Sequence, residues 1–139
     1  MLQNVATHPD SRLTCIDTFQ GSDEHSLIDT SQLYETFTHN IAETGQSHRV
    51  SVIRGSSDKA LRDQPYDHYD IIYIDAAHDS QNVLSDAVLA FPLLKSGGIL
   101  LFDDTLDVNV NRAVTSFIEC YGKSISNVYC TRQTFVIKA

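Results

Sequence analysis

The 139-residue chain is poor in basic residues and in cysteine, and it has no long apolar run. Ten Lys and Arg against 18 Asp and Glu give a formal net charge of −8, which argues against partners bound through phosphates, whether nucleic acid or an anionic membrane. No apolar run approaches the roughly 20 residues that a membrane helix needs. Cys15, Cys120 and Cys130 form no CxxC pair, which predicts buried thiols in a reducing compartment. We therefore expect a single cytoplasmic domain, residues 1–139.

The six glycines form none of the common nucleotide-binding loops. They cannot be assembled into GxGxxG or GxxxxGK[ST], and the chain has no GxSxG sequence. The six histidines lack the spacing that is typical of zinc ligands. These absences argue against a P-loop enzyme, a hydrolase of the GxSxG type and a zinc site.

Apolar patterning predicts strands that alternate with helices. Short runs rich in β-branched and aromatic residues predict strands at 13–19, 50–54, 70–75 and 99–102, and a terminal hairpin at 127–131 and 134–137. Apolar residues spaced three or four apart predict helices at 33–41, 83–91 and 110–121. This alternation predicts an α/β fold with a mostly parallel sheet. In such a sheet, ligands bind beyond the carboxyl ends of the strands.

Three of the predicted strands are followed by aspartate. Asp75 ends the strand at 70–75, and Asp103 and Asp104 follow the strand at 99–102. Because neighbouring strands lie about 5 Å apart, these three carboxylates converge if their strands are adjacent. Either a raised pKa keeps one of them protonated, or a hard divalent cation such as Mg²⁺ binds among them. The competing interpretation is that single aspartates cap loops and helices, as we expect for Asp79.

Two other side chains near strand ends have two interpretations each. Asp17 either accepts hydrogen bonds from ribose hydroxyls or forms a turn with the residues that follow it. His78 is either a general base or a metal ligand, or an ordinary polar residue of the surface. The residues alone leave these alternatives open.

Residues 69–78 (YDIIYIDAAH) and 93–104 (LLKSGGILLFDD) resemble the second half of a class I S-adenosylmethionine-dependent methyltransferase. The likeness is to the small-molecule O-methyltransferase-like group and covers roughly residues 5–139. It implies a three-layer, Rossmann-like sheet that ends in an antiparallel hairpin. The Gly-rich first motif of the family, and the strand that carries it, have no counterpart here. Three explanations are open. The chain is a fragment, or the strand at 13–19 pairs directly with the strand at 70–75, or another chain donates the missing strand.

The resemblance also implies a cofactor site for S-adenosylmethionine. Asp17 matches the acid that holds the cofactor ribose, and Ser56 and Ser57 match the loop beside the adenine. Asp75 matches an acid near the methyl-transfer centre. These four residues are the predicted cofactor contacts.

The same resemblance implies catalytic and metal-binding residues. Asp75, Asp103 and Asp104 match positions at which metal-dependent members bind Mg²⁺, although those members often have Asn in place of Asp104. Asp75 or His78 would take the proton of the acceptor hydroxyl. The cation would lower the pKa of that hydroxyl before its oxygen attacks the methyl group.

The resulting hypothesis is O-methylation of a hydroxylated small molecule, assisted by Mg²⁺. The alternative is a non-catalytic methyltransferase-like fragment that acts as an interaction or dimerisation module, for example as a homodimer. A hydroxylase or a sugar-modifying enzyme is a third possibility, because related sheets support other reactions.

Overall fold

Strands and helices alternate in the computed structural model, which describes residues 7–21, 29–75 and 77–139. The chain divides into a first unit, Met1–Ala60, and a second unit, Leu61–Ala139. The described strands form two separate sheets, one in each unit. The expectation of a single domain over 1–139 stays a prediction.

The first unit contains a pair of parallel strands. Strands β1 (Leu13–Asp17) and β2 (Val50–Arg54) pair so that Asp17 lies opposite Arg54. Helix α1 (Leu33–Glu43) connects them, followed by a 3₁₀ turn at Ser47–Arg49. The short helix α2 (Ser57–Ala60) begins just after β2. The carboxyl ends of both strands therefore lie at the same edge of this sheet.

The second unit contains a four-stranded mixed sheet. Its strands are ordered β3 (Tyr69–Ile74), β4 (Leu94–Phe102), β6 (Thr134–Lys138) and β5 (Ile125–Cys130). β3 and β4 are parallel, whereas β6 is antiparallel to both β4 and β5. The α/β class and the terminal antiparallel hairpin are confirmed. Of the pairings in the described ranges, two are parallel and two antiparallel.

Two capped helices pack on this sheet. Helix α3 (Ser80–Ala90) begins after Asp79, whose carboxylate accepts the Asn82 N–H at 2.9 Å. Helix α4 (Val108–Tyr121) begins after Asp107, whose carboxylate accepts the N–H groups of two residues in the first turn. The two helices pack against each other, and α3 also contacts β3 and β4. The predicted cap at Asp79 is confirmed.

The core of the second unit lies between these helices and the sheet. Its largest fully buried side chains are Phe102, Phe117, Leu93, Leu94, Leu100 and Val136. The Phe117 ring stacks on Tyr121 with centroids 4.6 Å apart and meets Phe91 edge-on at 5.3 Å. The apolar stripe of α4 therefore faces the core. No helix in the described ranges is long and apolar enough to cross a membrane.

The prediction of three buried thiols is wrong for two of the cysteines. Cys15, in β1, is half-buried, whereas Cys120 and Cys130 are exposed. Cys130 ends β5, an edge strand of its sheet, and most side chains of β5 are exposed. Cys120 lies one residue from the end of α4, beyond its buried stripe. An apolar surrounding sequence does not bury a thiol at the edge of a sheet or the end of a helix.

Candidate functional site

The ends of β3 and β4 bring carboxylates together. Ile74 pairs with Phe102, so Asp75 and Asp103 follow the last paired residues of adjacent strands. The Asp103 N–H donates to the Ile74 carbonyl at 3.0 Å, which extends this pairing to the site. Asp75, His78 and Asp104 each offer one ligand atom, and these atoms lie within 4.8 Å of one another. The parallel register therefore gathers two carboxylates and one imidazole.

Local backbone structure fixes both sides of this group. Asp104 has a positive φ of 47°, a left-handed conformation that Asp adopts more readily than most residues. Its carbonyl accepts the Asp107 N–H at 2.8 Å, so the turn leads directly into α4. His78 precedes Asp79, the cap of α3. The His78 Nε2 atom lies 3.2 Å from Oδ2 of Asp104.

The carboxylate of Asp103 is directed to other partners. Its Oδ2 atom accepts the hydroxyl of Tyr73, and its Oδ1 atom accepts the Gln133 side-chain amide at 2.9 Å. Oδ1 also accepts the Asp104 N–H at 2.9 Å. The hydrogen bond from Tyr73, followed by that from Gln133, holds the pKa of Asp103 below its usual value. The structure thus groups Asp75 and Asp104 with His78. Gln133 contacts Asp103, and the Tyr73 hydroxyl interacts with both Asp103 and Asp75.

The pKa of Asp75 moves in the opposite direction. Partial desolvation is the largest cause that raises it, and the negative charges of Asp103 and Asp104 raise it further. His78 and the Tyr73 hydroxyl oppose this shift. A carboxylate with a raised pKa is a stronger base than ordinary aspartate. Asp75 therefore has the chemistry of a proton acceptor.

A small open pocket lies beside these side chains. Asp75, His78 and Asp103 supply its polar wall. Its apolar wall is formed by Ile74, Ala77, Val83, Phe102 and Val110. Apolar walls with a few convergent polar groups are typical of small-molecule sites, although this pocket is much smaller than such sites usually are.

The predicted cofactor residues of the first unit lie at the ends of β1 and β2. Asp17 is exposed, and its Oδ1 atom accepts the Phe19 N–H at 2.7 Å, so it does form a turn. Phe19 has a φ of 57° and is buried against the ring of Tyr34, 5.1 Å between centroids. Ser56 and Ser57 are half-buried after β2. The assignment of these residues and of Asp75 to a cofactor stays a prediction.

Tyr73 and Gln133 were not found from the sequence. Side chains alternate between the two faces of a strand, so Tyr73 shares a face with Asp75, and that alternation could have identified it. Gln133 lies in the hairpin between β5 and β6, 30 residues from Asp103. Only the antiparallel pairing of β6 with β4 brings it near.

Comparison with known proteins gives one family match. Residues 1–105 match a family model described as a methyltransferase domain. No protein of curated function matches the sequence.

Several solved structures have a similar fold. A protein from Corynebacterium glutamicum superposes with a TM-score of 0.65 at 22% identity, over 92% of this chain and 61% of that protein. The O-methyltransferase NovP superposes with a TM-score of 0.66 at 13% identity, over 96% of this chain and 62% of NovP. TomG is an O-methyltransferase of Streptomyces achromogenes solved with S-adenosylmethionine. It superposes with a TM-score of 0.63 at 17% identity, over 92% of this chain and 73% of TomG. The chain thus spans about three-fifths of the length of the first two.

Proposed function

Because this chain belongs to the methyltransferase domain family, we propose that it carries out S-adenosylmethionine-dependent methylation of a hydroxyl group on a small molecule. The observation that carries this proposal is the group formed by Asp75, His78 and Asp104 at the ends of adjacent strands, beside a pocket. The fold shared with the O-methyltransferases NovP and TomG supports it. The net charge of −8 favours a small acceptor over a nucleic acid.

The cofactor would be held in the first unit by Asp17, Ser56 and Ser57. Asp17 fits a ribose, because its carboxylate is exposed at the end of a parallel strand and oriented by the hydrogen bond from the Phe19 N–H. The cofactor contact that the sequence predicts at Asp75 stays a prediction. When bound, S-adenosylmethionine supplies a methyl group whose bond to sulfur breaks, with the electron pair left on sulfur, as the bond to the acceptor oxygen forms.

Asp75 or His78 would accept the proton of the acceptor hydroxyl. Both side chains line the pocket. The raised pKa of Asp75 makes it the stronger candidate to take the hydroxyl proton as the oxygen becomes nucleophilic.

A divalent cation fits the donor set of the same group. Carboxylate oxygens suit hard cations, and an imidazole nitrogen suits transition metals. Asp75, His78 and Asp104 would therefore hold the ion. A bound cation would act as a Lewis acid that lowers the pKa of the acceptor hydroxyl.

Calorimetric titration tests the cofactor first. S-Adenosylhomocysteine is titrated into the purified 139-residue chain with and without Mg²⁺, and we expect saturable binding. Asp17→Asn is the matched variant, because it keeps an acceptor for the Phe19 N–H but removes the charge, and it should bind more weakly. Absence of binding by a chain that circular dichroism shows to be folded would contradict the proposal.

Exposed apolar side chains on β5 favour a second candidate function, self-association. Val128 and Tyr129 are 40% and 48% exposed, and β5 is an edge strand of the four-stranded sheet. An edge strand presents unpaired backbone groups that can pair with another chain. A second copy of this chain is the proposed occupant, as a homodimer.

A further inference from the structure

The turn that follows β1 combines a rare backbone conformation with a group of aromatic side chains. We infer that Phe19 and Tyr34 are positioning residues, which keep the Asp17 carboxylate oriented and without an ion-pair partner so that it can accept hydrogen bonds from the cofactor ribose. This inference rests on the proposed function. It gives a role to two side chains that the sequence did not identify as site residues.

Phe19 adopts a backbone conformation that a bulky residue rarely takes. Its φ of 57° lies in the left-handed region, which is uncommon for residues other than Gly, Asn and Asp. The other two non-glycine residues with positive φ in the described part of the chain, Asp67 and Asp104, are both aspartates. Such a conformation costs free energy and persists only where surrounding contacts hold it. Contacts outside the turn must therefore keep Phe19 in place.

The Phe19 ring supplies those contacts. It is 7% exposed and meets two rings of α1, Tyr34 at 5.1 Å and Phe37 at 5.2 Å between centroids. With the ring anchored, the Phe19 N–H donates to Oδ1 of Asp17 at 2.7 Å. The Asp17 carbonyl accepts the Gly55 N–H at 2.9 Å, which ties the same residue to the end of β2. The backbone of Asp17 and one of its carboxylate oxygens are therefore fixed.

Tyr34 also contacts the cation that Asp17 would otherwise pair with. Asp17 and Arg54 are lateral partners in the register of β1 and β2, so their side chains leave the same face of two strands about 5 Å apart. The Arg54 guanidinium lies instead over the Tyr34 ring, 5.0 Å from its centroid. Within the described ranges, no basic side chain forms an ion pair with Asp17. Its exposed carboxylate is therefore available to hydroxyl donors.

Recognition of the ribose hydroxyls is a readout that a merely structural role would not change. Calorimetry gives the Kd of S-adenosylhomocysteine and of its 2′,3′-dideoxy analogue for each folded variant, and the ratio of the two is the ribose preference. Hydrogen bonds to a charged group contribute about 10–100-fold to binding, so the wild-type chain should show a preference of about that size. Asp17→Ala should abolish it.

Phe19→Ala removes the ring and keeps the N–H. We expect it to reduce the ribose preference by about 3–10-fold, and to have no further effect in the Asp17→Ala background, where there is no carboxylate to position. Phe19→Asn also removes the ring, but Asn adopts the left-handed region more readily. It should therefore retain more of the preference than Phe19→Ala, although it buries less apolar surface.

Arg54 provides a second test, which decides the question if the Phe19 variants do not fold. Tyr34→Leu removes the ring under the guanidinium, so Arg54 should pair with Asp17 and the ribose preference should fall, whereas Tyr34→Phe should keep it. Adding Arg54→Gln to Tyr34→Leu should restore part of the preference. Ile41→Ala is the control, because it removes a half-buried apolar side chain two helical turns along α1. It should lower stability and leave the preference unchanged.

The outcomes separate this inference from the proposed function. If the wild-type chain binds S-adenosylhomocysteine and the dideoxy analogue equally, the inference is wrong while methyl transfer stands. The same holds if folded Phe19→Ala or Tyr34→Leu keeps the wild-type preference, or if Phe19→Ala and Phe19→Asn lose it equally. If the folded wild-type chain binds neither ligand, the inference and the proposed methyl transfer fail together.

Discussion

Asp75 and Asp103 follow adjacent strands, yet their environments move their pKa values apart. Partial desolvation and two neighbouring carboxylates raise the pKa of Asp75, whereas hydrogen bonds from Tyr73 and Gln133 lower that of Asp103. A pair of titratable groups with opposite shifts is a common arrangement where one group handles protons and the other stays charged. At the scale of single residues, these shifts support the proposal that Asp75 takes the proton while Asp103 stays charged.

Asp75→Asn is expected to lower turnover by about 10²–10⁴-fold without unfolding the chain, because it removes the proton acceptor. Turnover is measured as release of S-adenosylhomocysteine with a panel of hydroxylated aromatic and sugar acceptors. In the wild-type chain assayed without a divalent cation, the rate should fall with decreasing pH as Asp75 becomes protonated, and at a higher pH than for an ordinary aspartate, because its pKa is raised.

Asp70→Asn is the control for this variant. It makes the same charge change on the same strand, but at a residue that pairs with Lys95 at 2.7 Å and is largely exposed. It should keep the wild-type rate. Equal rates for a folded Asp75→Asn and the wild type would show that Asp75 is not the base.

At the scale of the elements, helix caps hold the site in place. Asp79 follows His78 directly and caps α3, and Asp107 caps α4 three residues after Asp104. Each cap satisfies N–H groups that a helix start otherwise leaves unpaired. The loops that carry His78 and Asp104 are therefore anchored at their helix ends.

Asp79→Ala should lower the free energy of unfolding by about 1 kcal/mol, because the Asn82 N–H loses its acceptor. Asp79→Asn keeps an acceptor oxygen and should cost much less. Urea denaturation of both variants measures the difference. Equal losses for Ala and Asn would mean that the capping hydrogen bond does not contribute.

The cap of α4 should make stability depend on pH. Hydrogen bonds from the N–H groups of Val110 and then Asn109 lower the pKa of Asp107 in the folded state. A lowered pKa stabilises the fold above the unfolded-state value of about 3.9, and this contribution is lost as the pH falls through the folded-state value.

Asp107→Asn should therefore remove part of the acid sensitivity of the fold. The advantage of the wild type over the variant in unfolding free energy should be largest near neutral pH and should shrink in acid. Denaturation curves between pH 7 and about 2.5 test this. A difference that stays constant with pH would contradict it.

At the scale of the whole molecule, an aromatic core stabilises the second unit. Phe117 of α4 is fully buried and contacts the rings of Phe91, Phe102 and Tyr121. Phe102 ends β4 directly before Asp103. The core thus holds α4 against the strand from which the candidate site begins.

Phe117→Ala should lower the free energy of unfolding by about 3–5 kcal/mol, through lost apolar burial and the cavity left behind. Phe117→Leu retains most of the volume and should cost less. Thermal and urea unfolding give both values. A loss below about 1 kcal/mol for the Ala variant would mean that the core collapses around the missing ring.

Self-association is the second expectation for the whole chain. If copies associate through β5, sedimentation velocity should show a mass that rises with concentration. Val128→Lys places a charge on the exposed edge strand and should abolish the rise. Thr115→Lys, on the exposed face of α4, is the matched surface control. A strictly monomeric wild-type chain would exclude the dimer.

Much of the element order could be predicted from local patterns, but strand boundaries were predicted less well, and the largest difference is at the start of β4. The strand at 50–54 matches β2, and the predicted terminal hairpin is present. β4 begins at Leu94, five residues before the predicted start. The prediction was late because Gly97 and Gly98 are typical of a turn, whereas in the structure they lie inside the strand. Gly97 has a φ of 77°, and a Cβ at Gly98 would lie 2.8 Å from the Lys95 carbonyl. The pairing of β4 with β3 shifts register around these glycines, and no local sequence pattern predicts such an irregularity.

The sequence by itself determined the class of fold and put aspartates at the ends of predicted strands, because strand periodicity and chain order are local properties. It also carried the family likeness, in residues 69–78 and 93–104. Only the tertiary structure decided which carboxylate faces which partner. Gln133 reaches Asp103 across 30 residues through antiparallel pairing, and Asp104 turns to His78 through a left-handed backbone. Side-chain direction at a strand end depends on register and on distant donors, which a linear pattern does not contain.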